Sequence, residues 1–208
     1  MPRSGLLFAF SIRRVAEAAR ALGVDLICAS AGGAPEAARV LPQRGLGFGE
    51  RLRNAFEDAR AAGYTEIVAV PGDVPGLTGA QLSAAFHALE ARDVVLGPSP
   101  DGGVWLIGSR VGTNLSELFD KVTWRTAAVF SALVRNAPDA ALVDVLADVD
   151  SPSDLAFLES VPGLDPALAA RLRSLRPVPE TPKRVRLAQT YASRPVSPAR
   201  APPAATAV

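Results

Sequence analysis

The sequence predicts an α/β domain built around a central strand of a parallel sheet. The run Ile67 to Val70 is short, apolar and β-branched, and Pro71 and Gly72 close it, which is typical of a buried parallel strand. Stretches with apolar residues at helical spacing lie on both sides of this strand along the chain. A chain of 208 residues that is 49% hydrophobic and 21% charged is long enough for one such domain with a real core.

The other elements follow from local patterns. A helical spacing predicts a first helix over 5–22, which Gly23 ends. Thr78 and Gln81 match the capping box that begins a helix, and Thr126 is a natural N-cap for a helix from about 127 to 135. The remaining predicted elements are strands over 24–29, 94–98, 104–107 and 144–149, a helix through 52–59, and a last helix that starts at Ser151.

Composition excludes several classes of protein. A single cysteine excludes an intramolecular disulfide framework, and no run reaches the roughly 18 apolar residues that a membrane span requires. Arg13 and Arg14 end the first apolar run where a signal peptide would be cleaved. We therefore expect a soluble, cytoplasmic protein, with Cys28 buried in its strand and the only histidine, His87, exposed.

The sequence divides into a domain over 1–162 and a tail over 163–208. The tail has eight basic residues against two acidic ones and holds eight of the eighteen prolines, so we expect it to be largely disordered. Aromatic residues are not interleaved with its arginines, which argues against nucleic acid as a partner. On this view, deletion beyond about Arg176 costs little stability.

Asp73 is the first candidate for a functional residue. It follows the central strand, and ligands of open α/β sheets bind at the carboxyl ends of the strands. A carboxylate there is a candidate ligand for a divalent metal. A turn aspartate is the structural alternative.

Two glycine-containing segments are further candidates. The loop from Gln43 through Gly45, Gly47 and Gly49 leads into a helix, where backbone N–H groups can hold an anion and the Gln43 amide can read a base edge. The turn Asp101-Gly102-Gly103 permits a ligand to approach closely. The alternatives are a plain connection for the loop and a hairpin turn for 101–103.

Several motifs together resemble the nucleotide-diphospho-sugar transferase superfamily. They are Gln43 with 47–52, the run 70–75, Gly97-Pro98 with 101–103, Trp124-x-Thr126, and 148–155, and they cover residues 5–160. The likeness is greatest to a bacterial subfamily described as selenium- or arsenosugar-associated glycosyltransferases. Guanylyltransferases for molybdenum cofactor and for phospholactate are similar but more distant.

The resemblance implies a three-layer α/β/α sandwich with a mostly parallel sheet that binds a nucleotide or nucleotide sugar, a small-molecule acceptor, and Mg²⁺ or Mn²⁺. It implies metal ligands at Asp73 and Asp150, and catalytic roles for Asp73 and Asp101. The implied nucleotide-binding residues are Gln43, Gly45, Gly47, Gly49 and Arg51, and the implied substrate-binding residues are Gly102, Gly103, Trp124, Arg125 and Thr126.

The start of the chain departs from this pattern. Members of the superfamily usually begin with a strand and a glycine-rich basic loop that holds phosphate, and here the first strand is missing. Three explanations stay open: a truncated start, phosphate contacts from Arg44, Arg51 and Arg125 with the metal, or loss of catalysis. Separately, three functions are considered. A glycosyltransferase is favoured, a nucleotidyltransferase is the alternative for which the missing loop matters more, and a non-catalytic nucleotide-binding or partner-binding protein is the third. Donor, base, acceptor and oligomeric state are left open.

Overall fold

A computed structural model of the chain describes residues 3–30, 39–72, 74–146 and 189–194. In chain order, the helices and strands are α1 (Arg3–Leu22), β1 (Asp25–Ser30), β2 (Arg39–Pro42), α2 (Phe48–Ala61), β3 (Glu66–Pro71), α3 (Gly79–Ala91), β4 (Val94–Pro98), β5 (Val104–Arg110), α4 (Leu115–Leu118), α5 (Val129–Asn136), β6 (Ala141–Leu142) and β7 (Gln189–Arg194).

The strands form one mixed sheet in the order β2-β1-β7-β3-β5-β4-β6. Strands β1, β2, β3, β4 and β6 run in one direction, whereas β5 and β7 run the opposite way. Among the described strands, β1–β2 and β4–β6 are the parallel neighbours. The prediction of a mostly parallel sheet is therefore corrected to a mixed one, because an antiparallel strand lies on each side of β3.

Helices cover both faces of this sheet, so the α/β architecture has three layers. Alternate residues of β3 face opposite sides: Ile67 packs with α2, α4 and α5, and Val68 packs with α1 and α3. Phe56 of α2 and Phe86 of α3 are fully buried on the two sides. This period-two pattern arises because successive side chains of a strand point to opposite faces.

Local signals place several elements as expected. The chain's first described helix, α1, ends before Gly23, whose φ of +64° is the left-handed conformation usual after a helix. The capping box of α3 is formed, since the Thr78 N–H donates to Gln81 Oε1 at 3.0 Å. No strand precedes β1 in the described part of the chain, residues 3–24.

Other predictions are confirmed or corrected by side-chain environment. His87 is exposed and pairs with Glu90 at 3.3 Å, and Cys28 is buried in β1, where burial raises the pKa of its thiol. Helix α5 begins at Val129 after the N-cap Ala128, not directly after Thr126.

The strand predicted over 144–149 is wrong over its described residues, 144–146. The short strand β6 lies earlier, at Ala141–Leu142, and the chain beyond it follows β4 through single hydrogen bonds from Val143 to Leu96 and from Leu146 to Pro98.

The tail contributes a strand that its composition does not predict. Residues 189–194 form β7 in the middle of the sheet, so disorder does not hold for them, and the rest of 163–208 lies outside the described residues. Deletion beyond about Arg176 would remove β7 from the sheet, so we now expect it to lower stability. No described helix has both the length and the apolar character needed to cross a membrane.

Candidate functional site

The carboxyl ends of four parallel-running strands define the candidate edge of the sheet. Strands β1 to β4 end at this edge, at Ser30, Pro42, Pro71 and Pro98 respectively. The antiparallel strands β5 and β7 begin there. The loops that leave this edge carry Gln43, Gly45 and Gly47 after β2 and 101–103 after β4, and Asp73 follows β3, as expected for a ligand-binding edge of an α/β sheet. The predicted residues 124–126 lie instead between α4 and α5.

The residues on each side of Asp73 are buried, and those that follow it are hydrogen-bonded. Asp73 itself and Asp150 lie outside the described residues, so their roles as metal ligands stay predictions. Gly72 and Val74 are buried, and the Leu77 N–H donates to the Val74 carbonyl at 3.3 Å. Arg14 Nε of α1 donates to the Leu77 carbonyl at 2.9 Å, which ties the turn to a helix on one face of the sheet.

The glycine loop is held against the first turns of α2. Arg51 Nε donates to the Gly47 carbonyl at 3.3 Å, and its Nη1 lies 3.5 Å from Gln43 Oε1. The Leu46 N–H donates to Glu50 Oε2 at 2.8 Å, although the Leu46 side chain is 97% exposed. The loop is thus an ordered connection whose tip faces solvent, and Arg51 orients both Gln43 and Gly47.

Arg44, which the sequence offered as a phosphate contact, already has a carboxylate partner. Its Nη2 lies 2.5 Å from Asp58 Oδ1, and its Nε donates to Asp58 Oδ2 at 3.2 Å. The hydrogen bond that Arg44 donates to Asp58 raises the pKa of the guanidinium, and the negative charge of the same carboxylate raises it further. A two-point pair of this kind fixes the guanidinium plane.

Trp124 lies over the beginning of α2. A Cβ atom at Gly49 would lie 2.1 Å from Trp124 Nε1, so only glycine allows the indole to lie this close. The rings of Phe48 and Phe119 flank the half-buried indole, at centroid distances of 5.1 and 5.4 Å. Neither phenylalanine is marked as a site residue by the sequence, because their contact with Trp124 depends on the fold.

The segment after Trp124 has an unusual backbone. Arg125 has a φ of +66°, a left-handed conformation that costs a non-glycine residue roughly 1 kcal/mol. Its side chain is exposed and has no ion-pair or hydrogen-bond partner in the described part of the chain. The Thr126 hydroxyl donates to the Thr123 carbonyl at 2.7 Å and accepts from the Ala128 N–H at 3.3 Å, so it stabilises this bend.

The hairpin-turn interpretation of 101–103 is confirmed, since this turn joins β4 to the antiparallel β5. The Gly102 N–H donates to the Ser99 carbonyl at 3.1 Å, and Asp101 Oδ1 accepts from the Gly103 N–H at 2.8 Å. Gly102 has a φ of +86°, and a Cβ there would lie 2.3 Å from the Ala127 carbonyl oxygen. The turn therefore packs against the segment that carries Trp124 and Thr126.

These contacts connect three of the predicted segments. The glycine loop contacts Trp124 through Gly49, and the backbone that follows Trp124 contacts Gly102 through Ala127. Sequence reasoning missed Ser99, which is 5% exposed and whose Oγ has no hydrogen-bond partner among the described residues. A serine between two prolines carries no signal beyond that of a turn.

The described residues alone do not form a metal centre. No group of three or more histidine, cysteine, aspartate or glutamate residues comes together within 3–30, 39–72, 74–146 and 189–194. Asp101 is exposed and one of its oxygens is engaged by Gly103. The predicted metal ligands, Asp73 and Asp150, lie outside the described residues.

The fold is similar to that of a solved bacterial protein. A crystal structure of a "putative nucleotide-diphospho-sugar transferase" from Desulfovibrio desulfuricans G20 superposes with a TM-score of 0.70 and 24% sequence identity, over 82% of each chain. At this identity the likeness shows a shared fold. No functionally curated protein has a significant sequence match to the chain.

A family assignment comes from the sequence of the domain itself. The model of one bacterial family matches residues 13–126, which is more than half of the chain and runs from α1 to the end of the Trp124 segment. The match thus spans the glycine loop, the β3 turn and the 101–103 hairpin. The chain belongs to the family described as "uncharacterized protein conserved in bacteria (DUF2064)".

Proposed function

We propose that the protein is a metal-dependent transferase that uses a nucleotide-activated sugar as donor and a small molecule as acceptor. The observation that carries this proposal is the contact of the glycine loop, the Trp124 segment and the Asp101 turn at the carboxyl edge of the sheet. The shared fold with a protein named for nucleotide-diphospho-sugar transfer supports the same choice. We place the activity in the cytoplasm because a chain with one cysteine does not depend on an intramolecular disulfide.

The nucleotide is assigned to the glycine loop and the start of α2. Gly47 caps this helix without any side-chain hydrogen bond, which suits the binding of an anion by backbone N–H groups. Gln43, oriented by Arg51, supplies an amide for the base edge. Trp124 offers a partly exposed aromatic face beside the same helix start, and a base or sugar ring can pack against it.

The acceptor is assigned to the Asp101 turn. Asp101 Oδ1 is held by the Gly103 N–H, which orients the carboxylate and leaves Oδ2 able to accept a proton from an acceptor hydroxyl. Gly102 and Gly103 line the approach. A Mg²⁺ or Mn²⁺ ion bound by Asp73 and Asp150 would neutralise the negative charge that develops on the departing diphosphate.

The pairing of arginines favours a sugar donor over a nucleoside triphosphate. Of the three arginines considered as phosphate contacts, Arg44 is paired with Asp58, and Arg51 is bonded to loop oxygens. Only Arg125 has its guanidinium without a described partner. Because nucleotidyl transfer develops more charge on the phosphates than glycosyl transfer does, the pairing of Arg44 counts more against it than against a sugar donor.

A thermal-shift panel of nucleotides and nucleotide sugars, with and without Mn²⁺, tests the proposal. A ligand at about 100 times its dissociation constant adds roughly 2.7 kcal/mol, which raises Tm by roughly 5 to 10 °C for a domain of this size. Asp73→Asn removes the charge and keeps the size, so it should abolish the Mn²⁺-dependent part of the shift. Asp139→Asn is the control, since Asp139 is exposed just before β6, at the other edge of the sheet.

The outcomes separate the three functions. A shift with nucleotide sugars that Asp73→Asn loses and Asp139→Asn keeps supports the sugar transferase. A larger response to a nucleoside triphosphate, with pyrophosphate released on addition of a phosphorylated acceptor, would instead identify a nucleotidyltransferase. If no nucleotide shifts Tm, or if Asp73→Asn responds like the unmodified protein, the metal-dependent transferase is refuted.

A further inference from the structure

Strand β7 occupies the centre of the sheet, although it comes from the tail. It is antiparallel to β1 on one side and to β3 on the other, and among the described strands β1 and β3 have no direct pairing. Without β7 the sheet would divide into β2–β1 and β3–β5–β4–β6. Each half would then expose a row of unpaired backbone N–H and C=O groups, which is costly inside a domain.

The register of β7 is defined on both sides. Ala192 lies opposite Leu26 and Val68, and Tyr191 lies opposite Ile27 and Ala69. All four of these partners are buried core residues of β1 and β3. Strand β7 thus lies between two strands whose paired residues are buried and apolar. Backbone pairing on both sides sets the direction of any strand in this position.

The amino end of β7 reaches the candidate site. Gln189 pairs with Pro71 of β3 and Ala29 of β1, at the carboxyl ends of both strands. Pro71 comes two residues before Asp73. The backbone that leads into the Asp73 turn is therefore held by the tail on one side, in addition to the bond from Arg14 to Leu77 beyond the turn.

We propose that Gln189–Arg194 is an intramolecular docking strand, and that its insertion between β1 and β3 fixes the end of β3 and so positions the ligand-binding edge. Because the strand belongs to the same chain, its docking competes well with docking of a strand from another molecule. Release of the strand loosens the Pro71–Leu77 segment and weakens ligand binding. The binding part of this inference rests on the proposed function, whereas the docking part does not.

Disulfide trapping tests the placement in the full-length chain. Thr190 lies directly opposite Cys28, the only cysteine, so Thr190→Cys should form an intramolecular disulfide on mild oxidation. Tyr191→Cys is the matched control, because neighbouring strand residues belong to opposite faces and its partner on β1 is Ile27. Absence of a disulfide in Thr190→Cys, equal trapping in both variants, or a disulfide-linked dimer would overturn intramolecular docking.

Two truncations test the coupling to the site. A chain ending at Ala188 lacks β7, and a chain ending at Arg194 keeps it. We expect amide hydrogen exchange in β1, β3 and 72–77 to be faster by at least about tenfold in the shorter chain, with nucleotide affinity weaker by a similar factor. The longer chain should match the full-length protein. Equal exchange and equal affinity in the two truncations would overturn the positioning role.

The full-length protein provides a second comparison if the shorter chain does not fold. In Thr190→Cys, forming the disulfide should slow exchange at 72–77 relative to the reduced state, and unchanged exchange would contradict the proposal. If the full-length protein binds no nucleotide, the proposed function fails while hydrogen exchange still decides whether β7 positions the β3 turn. The two failures are therefore distinguishable.

Discussion

Gly49→Ala is the sharpest test of the contact between the glycine loop and Trp124. The added Cβ would lie 2.1 Å from Trp124 Nε1 and 2.7 Å from its Cδ1, well inside the usual contact distance for carbon. The indole must therefore shift. Gly79→Ala is a matched control because Gly79 also lies in the first turn of a helix, α3, and a Cβ there meets nothing within 4 Å.

The expected loss of stability comes from the aromatic contacts that the displaced indole would lose. Moving Trp124 disturbs its packing with both Phe48 and Phe119, and each aromatic pair contributes roughly 0.5 to 1.5 kcal/mol. Alanine is favoured over glycine in a helix by at most about 1 kcal/mol, which offsets part of this loss. Because Gly79→Ala gains the same helix propensity, that term cancels in the comparison, and we expect Gly49→Ala to be about 1 to 3 kcal/mol less stable than Gly79→Ala.

Urea unfolding followed by circular dichroism measures this difference in stability. Tryptophan emission measures the displacement: Trp105 is fully buried, so a red shift in folded Gly49→Ala would come from Trp124. The same variant should bind nucleotide more weakly if Trp124 lines the site. Equal stability of the two alanine variants, together with unshifted emission, would refute the described packing of Trp124 on α2.

Three other changes address charge, base recognition and pH. Arg125→Gly should raise stability by up to about 1 kcal/mol, because glycine tolerates the φ of +66°, and it should weaken nucleotide binding. Lys121→Gly, at φ +50°, is the control and should give the gain in stability alone. Equal nucleotide binding by the two variants would exclude Arg125 from the site. Gln43→Ala should reduce discrimination among the four bases in competition assays, and unchanged discrimination would remove Gln43 from the site. Burial raises the pKa of Tyr64, and the 2.7 Å hydrogen bond to Asp25 raises it further, so the folded state holds the phenol proton more tightly. The stability this contributes is present below about pH 10 and is lost as pH rises through the folded-state pKa. Tyr64→Phe should cost about 1 kcal/mol near neutral pH and flatten this alkaline loss in urea midpoints, whereas an unchanged slope would exclude Tyr64 as its source.

The sequence by itself determined the elements whose signals are local. The β-branched run of β3 is buried as expected, with Ile67 and Val68 at 0% exposure, because a strand that is apolar on both faces must be covered on both. The capping box of Thr78 and Gln81 likewise places the start of α3 at Gly79. The glycine loop and the 101–103 turn were also recognisable as separate motifs, since glycines and an aspartate at these spacings permit tight turns.

Only the tertiary structure decided how these pieces meet. The segment Gln189–Arg194 carries no strong strand pattern, and it is a strand because β1 and β3 supply backbone partners on both sides. The contact of Trp124 with Gly49 joins residues far apart in the chain, and the left-handed Arg125 lies between that contact and the bend at Thr126. Neighbours in a sheet and packing between distant residues depend on which surfaces the whole chain buries. The local sequence pattern shows which face of a helix or strand is apolar. Which other part of the chain packs on that face is determined only by the complete fold.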